Sequence, residues 1–329
     1  MTKLTKTNFF NKYLWSLPLI GFTTILFLLL FGCNSGLKPE DVKINTAQGL
    51  SLLNKPLIRP QVDLARDSLH IANYLEALEN YENNKEWADN IVWLGRRVAY
   101  LGDYKRAIEL FTEGVNKFPD DPQFLRHRGH RYISTRQIDD AIEDFEKAAE
   151  MIKGTEDIIE PDGIPNRLNQ PVSSLHTNIY YHLGLAYYIK GDFKAALKAF
   201  SDCLDASKND DMQVATRHWL YMILNRLDRK EVANIILEPV YENMNIIENV
   251  AYHELLLFYK GLRTEKGLLK ENNGAIGANE ATQYGVANWY YYNDDTERAM
   301  HMFNDILKNG NWSSFGYITA EADLSRSNE

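Results

Sequence analysis

The sequence predicts an all-α fold, a solenoid of stacked antiparallel helix pairs, and three observations carry that prediction. "WLGRRVAYLGDYKRAIELFTEG", from Trp93, and "RGHRYISTRQIDDAIEDFEKA", from Arg128, place Gly95 and Gly129, Ala107 and Ala141, and Phe111 and Phe145 at one constant offset, 34 residues. "LGLAYYIKGDFKAALKAFSDC" repeats the internal spacing with Gly184, Ala196 and Phe200. Each copy carries helical periodicity on both sides of a short polar turn. A period of this length marks a repeat architecture whose single units cannot bury their own apolar faces and therefore stack.

The small residues have a packing role. Gly95, Gly129 and Gly184 fall midway along a first helix, opposite Ala107, Ala141 and Ala196 on a second, so the two backbones can approach closely. Phe111, Phe145 and Phe200 then fill the space toward the next unit. The Gly, Ala and Phe places, with Pro119 closing the first copy, resemble the tetratricopeptide repeat. The resemblance covers residues 88–153, as two repeats, and 177–208, as a third.

Weaker copies continue over residues 209–308, where Ala233 and Leu237, then Ala299 and Phe303, stand in the Ala and Phe places. Residues 309–329 are expected to cap the array with an amphipathic helix. At the other end, residues 61–87 have helical apolar spacing and are expected to cap the first repeat. Residues 34–60 read as a tether. Between the second and third repeats lies an insert, residues 154–176, rich in acids and prolines; loops of that length in compact repeats are commonly functional or disordered.

The first 33 residues read as an export signal. Lys3, Lys6 and Lys12 precede an apolar run from Leu14 to Phe31, with no acid among them. The ending "LLFGC" resembles the lipobox of bacterial lipoproteins, which would make Cys33 the lipidated first residue of the mature chain. The alternative is an uncleaved signal anchor, since the run is just long enough to span a bilayer. The lipoprotein reading implies a Gram-negative cell envelope, and Asn34 after the cysteine favours the outer membrane, facing the periplasm or the surface. A lipid anchor would be the contact with membrane.

The chain carries a formal net charge of −9, and removing residues 1–32 takes away three lysines and no acids. So acidic a body should not bind nucleic acid by neutralising phosphates. With Cys33 lipidated, Cys203 has no partner for an internal disulfide and is expected to be a buried, inert thiol. No GxSxG elbow, phosphate loop or nucleotide fingerprint is present, so the sequence nominates neither catalytic residues nor a cofactor.

Against this acidic background, "FLRHRGHRYIS" gathers Arg126, His127, Arg128, His130 and Arg131. The helical period places Leu125, Gly129 and Tyr132 toward the repeat's own core and Arg126, His127 and His130 toward the concave side. Neighbouring first helices should add Trp93, Arg96 and Tyr100, and Tyr181, His182 and Tyr188. These nine residues describe an aromatic, partly cationic wall suited to a peptide or protein partner bearing acidic groups.

Some tetratricopeptide proteins grip a peptide's terminal carboxylate from set groove places. Here those places hold Val92, Arg96, His127, Asn178 and His182, with Asn178 standing where a Lys is expected and His127 where an Asn is. Arg128 is different again, since it occupies the core-facing place of Leu94 and Leu183 and is expected to pair internally with an insert acid (Glu156, Asp157, Glu160, Asp162) or a nearby helix acid, with Arg131 a second candidate for internal pairing. Two further readings stay open. One is a small-ligand or hydrolytic pocket, in which the 154–174 insert brings Glu160 and Asp162 to His127, His130 and His182. The other is a metal shared by the same histidines, which no ligand signature accompanies and which adjacent arginines would repel.

Overall fold

The computed structural model describes residues 46–59, 63, 65, 67–271 and 278–327, all within the unit Pro39–Glu329. The export segment, Cys33 and the start of the tether lie outside the described residues. Helix α1 (Ser68–Asn83) packs on α2 (Ala88–Tyr100). Pairs follow as α2 with α3 (Tyr104–Lys117), α4 (Pro122–Ser134) with α5 (Ile138–Met151), and α6 (Leu175–Lys190) with α7 (Phe193–Ala206). The chain continues through α8 (Asp210–Arg226), α9 (Lys230–Leu237), α10 (Val250–Tyr259), α11 (Glu265–Glu271), α12 (Ala278–Tyr292), α13 (Thr296–Asn309) and α14 (Phe315–Ser327).

The repeat spacing translates directly into contact. A Cβ on Gly95 or Gly184 would stand 2.5 Å from Phe111 or Phe200, and one on Gly129 would stand 2.9 Å from Phe145, so each phenylalanine ring fills the space a side chain would need. Three of the second helices start alike: Asp103, Asp192 and Asp295 each accept from a backbone N–H of their own first turn, satisfying an otherwise orphaned donor. The turn before α3 uses Gly102 at φ 78° and the turn before α7 uses Gly191 at φ 87°. In the middle repeat that left-handed place is held by Arg136 at φ 67°. Cys203 is fully buried, and burial pushes its thiol up to about 12.

Two ends of the chain depart from expectation. Part of the predicted tether is an antiparallel hairpin, β1 (Ala47–Leu50) with β2 (Pro56–Ile58), pairing Ala47 with Ile58 and Leu50 with Pro56. It is bonded to the repeats: Arg59 Nε donates to the Leu101 carbonyl at 2.9 Å, and the Lys105 N–H donates to Gln48 Oε1 at 3.0 Å.

The terminal helix is not a one-sided cap. Gly316 and every residue from Ile318 to Leu324 are buried, and Ile318, Ala320, Ala322 and Leu324 share a core with Ile133, Tyr181, Tyr188, Trp219 and Tyr284. A helix covered on every face must be enclosed by others. Helix α14 is thus packed inside the array, and its acids are paired there. Glu321 meets Arg136 at 2.7 Å, and Asp323 accepts from Arg226 at 2.7 Å, Tyr284 at 2.8 Å and Arg326 at 2.6 Å.

Candidate functional site

The insert between α5 and α6 is an ordered strap. Ile159 and Ser174 form an antiparallel bridge, the Glu160 N–H donates to the Ser173 carbonyl at 3.1 Å, and Asp157 accepts from the Ser174 hydroxyl at 2.6 Å and the His176 N–H at 3.0 Å. Ser174 and Thr177 cap α6 reciprocally. These bonds fix the strap to the start of α6 and carry Glu160–Gly163 across the first helices α2 and α4.

Those helices grip it. The Glu160 carboxylate, 5 % exposed, pairs with Arg126 Nη2 of α4 at 3.0 Å and accepts from the Asn178 amide of α6. On α2, Arg96 donates to the Pro161 carbonyl at 2.9 Å and Arg97 to the Gly163 carbonyl at 2.6 Å. Gly163 lies so close to Tyr100 that a Cβ there would stand 1.7 Å from the phenol oxygen. Asp162 beside them has its carboxyl raised by burial, with Arg96 opposing the shift.

Behind Glu160, a cavity of about 120 Å³ is lined by Arg96, Tyr100, Phe111, Arg126, His127, His130 and Arg131. His127 stacks on Phe111 at 5.3 Å, and its Nδ1 stands 2.8 Å from Arg126 Nη1. A guanidinium can only donate, so Nδ1 accepts and the imidazole is neutral, with its proton on Nε2. Burial, reinforced by Arg126, holds His127 well below the ordinary histidine range; burial and Arg131 do the same to His130. Arg131 lies over Tyr104 at 5.2 Å, and burial lowers it as well as Arg126.

The structure thus brings Arg96, Tyr100, Arg126, His127 and His130 to one cavity. His182 adjoins it, 4.4 Å from the His130 ring, and its Nδ1 donates to the Asn178 carbonyl at 2.6 Å. Trp93 sits one turn away beneath Arg96 and Arg97, at 4.3 and 4.8 Å, and faces a separate cleft with Asn73, Glu76, Asn80 and Asn90.

Tyr181 and Tyr188 are corrections to the expected wall. Tyr188 is fully buried with its hydroxyl 2.6 Å from that of Tyr284, and Tyr181 accepts from Trp219 Nε1 at 2.6 Å; α8, α12 and α14 cover the face that the repeat pattern left open. Arg97, Arg131 and Asn178 were not among the expected site residues. Their side chains became relevant only once the strap was in place. Among the described residues no group of three His, Cys, Asp or Glu could hold a metal ion, and no helix is long and apolar enough to cross a membrane.

Stacked helix pairs with Gly–Phe contacts define an α-helical repeat protein. Tetratricopeptide-repeat models match residues 94–154 and 177–210. These two stretches of the chain are tetratricopeptide repeats. Among solved structures the chain is similar to YrrB, described as a TPR protein with an unusual peptide-binding site, at 14% identity and a TM-score of 0.39, covering 76% of this chain and 97% of that one. It is also similar to a tetratricopeptide repeat protein from Parabacteroides merdae ATCC 43184, at 12% identity and a TM-score of 0.45, covering 79% and 95%. No curated protein matches the chain.

Proposed function

We propose that this chain is a binding module that docks an acidic segment of a partner protein on the α2, α4 and α6 face, displacing its own strap to do so. The carrying observation is the grip on Glu160–Gly163: one carboxylate on Arg126 and Asn178, and two peptide carbonyls on Arg96 and Arg97. Side-chain charge and backbone carbonyls together are what an extended acidic peptide offers. Trp93, Tyr100, His127 and His130 supply flanking surface. In this reading the module is held by a lipid on Cys33, as an outer-membrane lipoprotein of a Gram-negative cell envelope.

The test is anisotropy of a labelled peptide, "EDIIEPDGIPN", added to the full chain. Glu160→Gln weakens the competing strap and should tighten capture about tenfold, worth about 1.4 kcal/mol. Arg126→Ala should lose capture while circular dichroism stays native. No binding to the Glu160→Gln chain, or equal binding to Arg126→Ala, refutes the proposal.

A second reading, a pocket for a small ligand, is favoured by enclosure, since His127 and His182 are about as buried as Glu160. Its hydrolytic form lacks support from the geometry. His127 Nε2 and Glu160 Oε1 stand 3.7 Å apart, beyond a hydrogen bond, and Glu160 is committed to Arg126 and Asn178.

A further inference from the structure

We infer that the cavity behind Glu160 is a binding site for a small oxyanion, a carboxylate or phosphate group held by Arg126, His127 and Arg131. The inference goes beyond peptide docking, because it concerns space that Glu160 does not fill.

The argument is an inventory of donors. His127 is 4 % exposed, and its Nε2, which carries the proton, has no hydrogen-bond partner. Arg126 Nε is likewise buried and without a partner. Arg131 makes no ion pair with any acid among the described residues; its one close contact of note is the Tyr104 ring. All three side chains line the same cavity, and all three present N–H groups. A buried donor without an acceptor costs about 1–3 kcal/mol, so Arg126 Nε and His127 Nε2, with the Arg131 guanidinium beside them, call for something rich in acceptors.

Charge narrows the choice. Arg96, Arg126 and Arg131 bring three guanidiniums to the cavity and Glu160 brings one carboxylate to its edge. Water could satisfy the donors but would bring no negative charge to offset the excess of guanidiniums over carboxylate. A cation is disfavoured by the same excess. The neutral histidine is consistent with this arrangement: its Nδ1 is spent on Arg126, which leaves Nε2–H without a hydrogen bond, 3.7 Å from Glu160 Oε1. An oxyanion supplies several acceptor atoms and negative charge together, and arginine forks match both planar carboxylate and tetrahedral phosphate.

The test is calorimetric titration of the full chain with inorganic phosphate and, separately, with acetate, in constant chloride. The expected result is saturable binding of at least one of them with Kd of about 1 mM or tighter, weakened at least about tenfold in Arg131→Gln. Phosphate alone would name a phosphate site and acetate alone a carboxylate site; saturation by either supports the inference. Imidazole ¹H–¹⁵N spectra of the unsubstituted chain give an independent reading, should Arg131→Gln fail to fold, because the anion must shift the His127 Nε2–H resonance. Absence of saturation with both anions, an unmoved His127 signal, or equal affinity in a folded Arg131→Gln chain would overturn the inference. Any of these leaves peptide docking through Arg96, Arg97, Arg126 and Asn178 intact.

Discussion

Arg128 and Asp144 face each other across the second repeat in a two-point grip, Nε to Oδ2 at 2.8 Å and Nη2 to Oδ1 at 2.7 Å, with Thr112 taking a third bond at 3.2 Å. Both residues break the repeat together. Arg128 stands at the place of Leu94 and Leu183, and Asp144 at the place of Leu110 and Ala199. An apolar contact between the helices of one repeat has been replaced by an ion pair, each partner making the other tolerable. The consequence is a strong non-additivity. Asp144→Leu should cost about 3 kcal/mol, because it strands a largely buried guanidinium. Arg128→Leu should cost a similar amount. Arg128→Leu with Asp144→Leu, which restores the pattern of the first repeat, should lie within about 1 kcal/mol of the original chain. Urea unfolding of the four proteins decides it; additive losses would mean that the pair is not a coupled unit.

The same pair shows what a sequence can and cannot reveal. Arg128 is legible as a misfit because two other copies supply the expected residue, and its need for a carboxylate follows from burial alone. Which carboxylate is a matter of register across a helix pair. Glu160, a candidate for Arg128 by charge, instead meets Arg126 two positions earlier and Asn178 on the next repeat. The 34-residue offset likewise announces α2 to α5, and the same internal spacing announces α6 and α7, because each unit's contacts are local. Helix α14 is different. Its surroundings combine the preceding α12 and α13 with α6 and Arg136, more than a hundred positions earlier, and a helix buried on all faces has no one-sided pattern to announce it. The repeat pattern alone puts Tyr181 and Tyr188 on the open wall for that reason, as nothing local foretells the helices that cover them.

Arg136 holds α14 in place at a conformational cost. A non-glycine residue at φ 67° gives up about 1 kcal/mol relative to glycine, which fills this place in the first and third repeats. In return its guanidinium pairs with Glu321 at 2.7 Å and donates to the carbonyls of Ser134 and Trp312, both at 2.7 Å. Arg136 and Glu321 side chains are 2 % and 1 % exposed. Arg136→Gly should therefore destabilise the chain despite relaxing its backbone, by about 3 kcal/mol or more, since it leaves Glu321 charged and buried. Arg136→Gly with Glu321→Leu should recover most of that loss. Hydrogen exchange along α14 reads the same event locally: its amides should lose protection first in Arg136→Gly. If Arg136→Gly is more stable than the parent, the clamp contributes less than the turn strain and the account fails.

Buried neutral histidines make the fold sensitive to acid. His218 is stacked between Tyr252 at 4.9 Å and Tyr259 at 5.9 Å, and burial alone takes it down to about 3. His182, beside Phe145 and Phe315, also falls to about 3, by burial first and then by Arg126, with the Asn178 carbonyl opposing and Arg131 adding to the shift. In the unfolded chain each titrates near about 6.5. Below that value and above about 3 the unfolded state binds more protons than the native one, so stability falls as pH falls. Their stabilising contribution is fully present above the unfolded value and is lost on acidification. Each should remove up to about 1.4 kcal/mol per pH unit, and His127 and His130 act in the same direction. Urea midpoints should therefore fall from about pH 6.5 downward, starting above the range where carboxylates protonate. His218→Phe keeps the ring stack and removes the titrating group, so its slope should be shallower by up to about 1.4 kcal/mol per unit. An unchanged slope in that variant would mean that His218 takes up its proton without unfolding the chain, and that the stack is open to water.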